Sequence, residues 1–140
     1  MSLKPKVVFD TNIYISAIIF GGNPRQCLEL ARSGDIQLIS SKAILLELAE
    51  KLRDKFNWPE EDIADVIFGI SVFAKIINPN KTIKLIKTDP PDNRILEAGL
   101  EIKADYIVSG DKKHLLSLEK FESIPIISAK QFLDLFFDKN

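Results

Sequence analysis

Cysteine and histidine are each present once in 140 residues, and that scarcity removes two large classes of chemistry. Cys27 alone cannot close an internal disulfide, and with His114 as the single histidine no Cys/His zinc site can be assembled. Neither sign of charge prevails, since 19 Lys and Arg against 20 Asp and Glu leave a formal net charge of -1. A dedicated polyanion-binding domain is usually basic, so the balance argues against one, although a local basic rim around an acidic site would be hidden in the sum. No apolar segment of signal-peptide type precedes Asp10, and the apolar stretch 63–77, interrupted by Asp65, Gly69, Ser71 and Lys75, is too short to span a bilayer. The reducing cytoplasm is the expected compartment. With 46% hydrophobic and 28% charged residues the composition is that of a globular protein. The length predicts one domain over 1–140, burying roughly two thirds of its unfolded surface.

What is present begins with Val7-Val8-Phe9-Asp10-Thr11-Asn12. A short apolar β-type run stops at a carboxylate, and the hydroxyl and amide that follow suit a helix start, so a strand passes directly into a helix over 12–20. Apolar periodicity then predicts a helix over 24–33 with Cys27 on its buried side, and a strand over 36–39. A helix over 42–56 follows, capped by Ser40 or Ser41. Asn57 and Pro59 suit the start of a further helix to about residue 75, apolar nearly all round from 63 to 77, as in a helix sandwiched in the core or one covered by a homodimer contact. A short strand over 82–86 carries Lys81, Lys84 and Lys87, as edge strands often do. After Asp89-Pro90-Pro91-Asp92 come a helix to about residue 103, a strand over 106–109, a short helix over 112–118, a strand over 124–127 and a terminal helix capped by Ser128. This alternation predicts an α/β three-layer sandwich around a central, mainly parallel five-stranded sheet.

Two junctions are alike. Val8-Phe9-Asp10 and Val108-Ser109-Gly110-Asp111 each end an apolar strand in an aspartate, and Asp92 opens the intervening helix. If the first and fourth strands are neighbours, the three carboxylates share the crevice at the strand ends where open α/β sheets bind ligands. Each alone is a good helix cap. Together they repel unless a cation neutralises them, and oxygen donors select Mg²⁺ or Mn²⁺ over zinc.

These motifs, with Ser16 and with Leu46-Glu47-Leu48-Ala49-Glu50-Lys51-Leu52, Asp92-Asn93-Arg94-Ile95-Leu96-Glu97-Ala98 and Ala104-Asp105-Tyr106-Ile107-Val108, resemble those of the PIN-domain (PilT N-terminal domain) nucleases. The likeness runs from Val7 to the last helix and points to the branch that supplies toxins of toxin–antitoxin pairs. It implies a Mg²⁺- or Mn²⁺-dependent ribonuclease with RNA as substrate and an antitoxin protein as partner. It carries metal-ligand and catalytic roles onto Asp10, Glu47, Asp92 and Asp111, with Asn12 and Ser109 in support. Glu47 receives its role from the motif alone, because it falls outside the apolar stripe of its helix. Arg94, Lys112 and Lys113 would contact substrate phosphate or stand as ordinary solvated charges, and His114 reads as an exposed helix residue in preference to a substrate contact. The chain departs from the family pattern at Pro90-Pro91 and at Lys112-Lys113-His114, where further acids are common, so a second metal would lack some protein ligands and would bind only with substrate phosphate. Two other readings compete: an inactive module of this fold that docks a protein or RNA, and an aspartyl-phosphate enzyme, in which a second acid would stand where Asn12 is.

Overall fold

Three strands, Lys6–Phe9 (β1), Gln37–Ser41 (β2) and Tyr106–Val108 (β4), are buried along nearly their whole length, which requires covering on both faces. β1 lies at the centre and pairs in parallel with β2 and with β4, setting Val8 beside both Ile39 and Ile107 and Phe9 beside Val108. The structure is a computed structural model that describes residues 4–80, 90–111 and 114–138. The predicted strand over 82–86 with its lysines, Asp89, and the predicted phosphate contacts Lys112 and Lys113 lie outside the described residues.

The full sheet adds Ala74–Ile77 (β3), Lys120–Phe121 (β5) and Ile124–Ile127 (β6) in the order β3-β2-β1-β4-β6-β5. Among the described residues only the β5–β6 pair is antiparallel. The six strands there are four of the five predicted ones together with two that were not expected, β3 and the two-residue antiparallel edge β5. Strand order reverses between β1 and β4, and such a switch point opens a crevice outside the carboxyl ends of those two strands.

Residues 74–77 correct the sequence-based expectation. Helical periodicity carries through them, yet the helix Glu60–Phe73 (α4) stops short and β3 pairs Leu38 with Ala74 through Ser41 with Ile77. The ladder satisfies the backbone groups of β2 that a helix would leave open, and β-branched Ile76 and Ile77 fit a strand. Asn57 is a second correction. It does not cap α4, whose N-cap is Pro59. It adopts φ 56 just after Lys42–Asp54 (α3), where its N–H and that of Trp58 bond to Arg53 and Leu52 carbonyls at 3.1 and 3.0 Å. That left-handed residue terminates the preceding helix.

The predicted helix over 12–20 is Thr11–Ile15 (α1) widening into a π turn at Ser16–Phe20. Arg25, on Gly22–Arg32 (α2), donates Nε to Ala17 O at 2.8 Å and so satisfies a carbonyl that the wider turn releases. Ser41 caps α3 by accepting from Ile44 N at 3.2 Å, and after the short helix Leu115–Leu118 (α6) Ser128 caps Ala129–Asp138 (α7) in a reciprocal pair with Gln131. Buried Cys27 packs α2 on α7 with Sγ 3.7 Å from Ala129 O, and burial pushes its thiol up to about 12, so it is an inert small hydrophobe. Pro90–Ile102 (α5) packs on β1 and β2, and Gly99 lets it come close to β4: a Cβ there would stand 3.0 Å from Ile107 Cδ1. That close approach brings the first turn of α5, with Asp92, toward the strand ends.

Candidate metal centre at the strand switch point

β1 ends at Phe9, and Asp10 continues its pairing by one hydrogen bond, N–H to Val108 O at 3.0 Å. The side chain then caps α1, with Oδ1 accepting from Ile13 N at 2.9 Å. Oδ2 accepts from the Ser109 hydroxyl. Asp10 is 2% exposed, and burial pushes its carboxyl up to about 6 from an ordinary 3.8, against the opposing pull of Ser109, the Ile13 and Gly110 N–H groups and the Lys51 charge. Neighbouring Tyr14 is fully buried edge-on to Phe9, and its hydroxyl stands beside that of Ser40 outside hydrogen-bond geometry. Burial raises its pKa, so it stays protonated.

Ser109 also accepts from Asp111 N at 2.9 Å, so one hydroxyl links the Asp10 carboxylate to the turn that carries Asp111. The Asp111 carboxylate is gripped by His114, whose N–H lies 3.2 Å from Oδ1 and whose Nδ1 lies 3.1 Å from Oδ2. The same Nδ1 stands 3.7 Å from Asp92 Oδ2. Burial pushes the Asp111 carboxyl up, but its hydrogen bonds with Asp92 and His114 outweigh that effect and hold it below the usual carboxylate range. Asp92, Asp111 and His114 offer ligand atoms that all lie within 4.8 Å of one another.

Glu47 reaches the same junction from α3. Its Oε1 accepts from the hydroxyl of buried Thr11, and its Oε2 lies 3.9 Å from Lys51 Nζ. Lys51 also donates to Asn12 Oδ1 at 3.3 Å. Asn12 therefore supports Glu47 through Lys51. Arg94 pairs with Glu97 Oε2 at 2.9 Å within α5, and Glu97 is itself buried.

The structure thus gathers Asp92 and Asp111 tightly, ties Asp10 to the Asp111 turn through Ser109, and sets Glu47 against the residue after Asp10. Among the described residues the group within 4.8 Å includes neither Asp10 nor Glu47. His114 is the correction: it is half-buried between two carboxylates, not an exposed helix residue. The spacing of Asp111 and His114, i and i+3 at a helix start, is the signal that would have found it. Thr11 and Lys51 were missed as well; Lys51 carries the i,i+4 relation to Glu47, whereas nothing in the sequence marks Thr11.

A sequence model of the PIN domain matches residues 6–113. The chain belongs to the PIN domain family. A relative from Methanocaldococcus jannaschii, described as an uncharacterized protein, is 38% identical over 122 residues, spanning 83% of this chain and 76% of its own length. The structure of the T. brucei RRP44 PIN domain superposes with a TM-score of 0.53 at 13% identity, covering 97% of this chain and 83% of that one, a likeness of fold. PIN domains are generally metal-dependent nucleases, and the paired carboxylates at the switch point fit that chemistry. Asp92 and Asp111 supply hard oxygen donors already held side by side, and one bound cation would relieve the repulsion between them. No helix among the described residues is long and apolar enough to cross a membrane.

Proposed function

We propose that this PIN domain is a cytoplasmic endoribonuclease that hydrolyses RNA phosphodiester bonds with Mg²⁺ or Mn²⁺ and acts as the toxin of a toxin–antitoxin pair. The observation that carries the metal dependence is the meeting of Asp92 and Asp111 at the carboxyl ends of the central strands, with Asp10 fixed to the same turn by Ser109. RNA as the substrate and an antitoxin as the partner rest on the likeness of motifs. In this reading Asp92 and Asp111 hold the cation, with Asp10 and Glu47 as the further acidic ligands.

A cation bound there supplies Lewis acidity for water activation and balances charge on the phosphodiester. The protein's own residues do the rest. Asp10 is sealed and immobilised from both oxygens, whereas Asp92, Asp111 and His114 keep 13%, 14% and 26% of their side chains exposed, which leaves the reacting side open to substrate. Arg94, Lys112 and Lys113 serve as phosphate contacts in this reading. The exposed Phe68 and Val72 on α4 form the face on which a second copy packs.

Single-stranded RNA incubated with the purified chain and Mn²⁺ or Mg²⁺ tests the reading. Cleavage that stops with chelator and in Asp10→Asn is expected; full cleavage by that variant with metal supplied would sink it. The competing reading, an inactive docking module, draws support from the internal satisfaction of Asp10 and Glu47 by Ser109, Ile13, Thr11 and Lys51. Calorimetry with Mn²⁺ separates the two, since such a module would show no binding that depends on Asp92.

A further inference from the structure

We propose that His114 is a nitrogen ligand of the cation and that it biases this site toward Mn²⁺ and related ions that accept imidazole, at the expense of Mg²⁺. The inference rests on the metal-site reading above and concerns which metal the site selects.

Three observations converge on the imidazole. Its Nδ1 faces two carboxylates at once, 3.1 Å from Asp111 Oδ2 and 3.7 Å from Asp92 Oδ2. Donors that share one octahedral cation with bonds of about 2.1 Å stand about 3 Å apart. The Nδ1–Asp111 separation already has that value, and the one to Asp92 needs only a small closing movement. The backbone that carries the ring is also fixed in place. The His114 N–H is 3.2 Å from Asp111 Oδ1, the Ser117 hydroxyl donates to His114 O at 2.7 Å, and the next residue, Leu115, is fully buried. The Cα of His114 is thereby anchored on both sides, so the imidazole starts from a set position.

The donor set then decides the metal. Carboxylates alone suit Mg²⁺, which prefers oxygen and gives up its waters reluctantly, whereas an imidazole suits transition ions. His114 sets one nitrogen donor beside the oxygen donors of Asp92 and Asp111 at this edge of the crevice. The opposite role is also chemically definite. A protonated imidazole held between Asp92 and Asp111 would act as a resident cation, and a metal would have to displace it.

Pulsed electron paramagnetic resonance of the full chain loaded with Mn²⁺, paired with Mn²⁺ and Mg²⁺ calorimetry on wild type, His114→Gln and Asp92→Asn, tests the proposal. Wild type is expected to show the modulation of a directly bound ¹⁴N nucleus. His114→Gln should lose that modulation and bind Mn²⁺ about tenfold or more weakly, with Mg²⁺ affinity little changed. Mn²⁺ binding that depends on Asp92 but shows no nitrogen overturns the role of His114 and leaves the metal site standing. Tighter Mn²⁺ binding by His114→Gln also overturns it, in favour of the resident cation. Absence of Mn²⁺ binding by wild type overturns the metal site and this proposal together. The nitrogen signal is read on the unaltered protein, so a poorly folding variant does not leave the question open.

Discussion

Ser109 donates its hydroxyl proton to the buried Asp10 carboxylate while accepting from the Asp111 N–H at 2.9 Å, and this single side chain joins the ends of the two central strands. Ser109→Ala is expected to remove one of the donors to a buried carboxylate, at about 1–3 kcal/mol of stability. Because Ser109 also pulls the Asp10 carboxyl down, its loss should push that group further up. Denaturant melts in chelator report the first effect. The second is read from the pH dependence of those melts, which should extend to higher pH than in wild type.

Asp10 itself predicts an unusual direction of pH dependence in the metal-free protein. Burial raises its carboxyl to about 6 from 3.8, so between those values the folded chain holds a proton that the unfolded chain releases. This contribution to stability is complete below the unfolded value and is lost as pH rises through the folded one, by roughly 3 kcal/mol in all. Asp10→Asn keeps the shape without the charge. In chelator at pH 7.5 the variant should melt above wild type, and the gap should close toward pH 4. Cleavage should be abolished at the same time. A variant less stable than wild type at pH 7.5 would show that the buried carboxylate is not strained.

The depth to which this site was legible differs residue by residue. Asp10 and Asp111 each end an apolar strand, and parallel topology brings such ends together, so the sequence pattern carried both. Residues 74–77 were not legible as a strand, because Ala74, Ile76 and Ile77 with Lys75 among them, directly after a helix, read equally well as its last turn, and only pairing with β2 decides between them. His114 was misread because one of its two carboxylate partners, Asp92, lies far away along the chain and meets it only after α5 docks on β1. Glu47 sits outside the apolar stripe of α3, yet the Thr11 hydroxyl draws it to the junction. That contact crosses between helices, and no period within either one encodes it.

Thr11→Val tests the Glu47 contact with little change in volume. The Thr11 hydroxyl donates to Glu47 from a position 2% exposed, and without it that carboxylate keeps its ion pair with Lys51, 3.9 Å away. Residues that orient metal ligands typically cost 10–100-fold in metal affinity when removed, so a loss of about that size in Mn²⁺ affinity is expected. The melting temperature should move little, since the valine fills the same buried space. Unchanged Mn²⁺ affinity would place Glu47 outside the metal site.

The face on α4 gives the last prediction. Phe68 and Val72 are 71% and 70% exposed and stand one turn apart on the same side of the helix, with Ile76 of the adjoining strand β3 41% exposed. Large apolar side chains grouped in this way lose contact with water only when another surface covers them. With a formal net charge of -1, long-range repulsion between two copies is small. Light scattering of the wild type is therefore expected to give twice the chain mass at micromolar concentration. Phe68→Asp with Val72→Asp should give the single mass, because pairing would bury two carboxylates per copy against apolar surface. Neither residue touches the acidic crevice in the contacts described, so Mn²⁺ affinity should be the same in both forms. A strictly monomeric wild type excludes the dimer, and a change in metal affinity on dissociation would mean that the partner copy reaches the site.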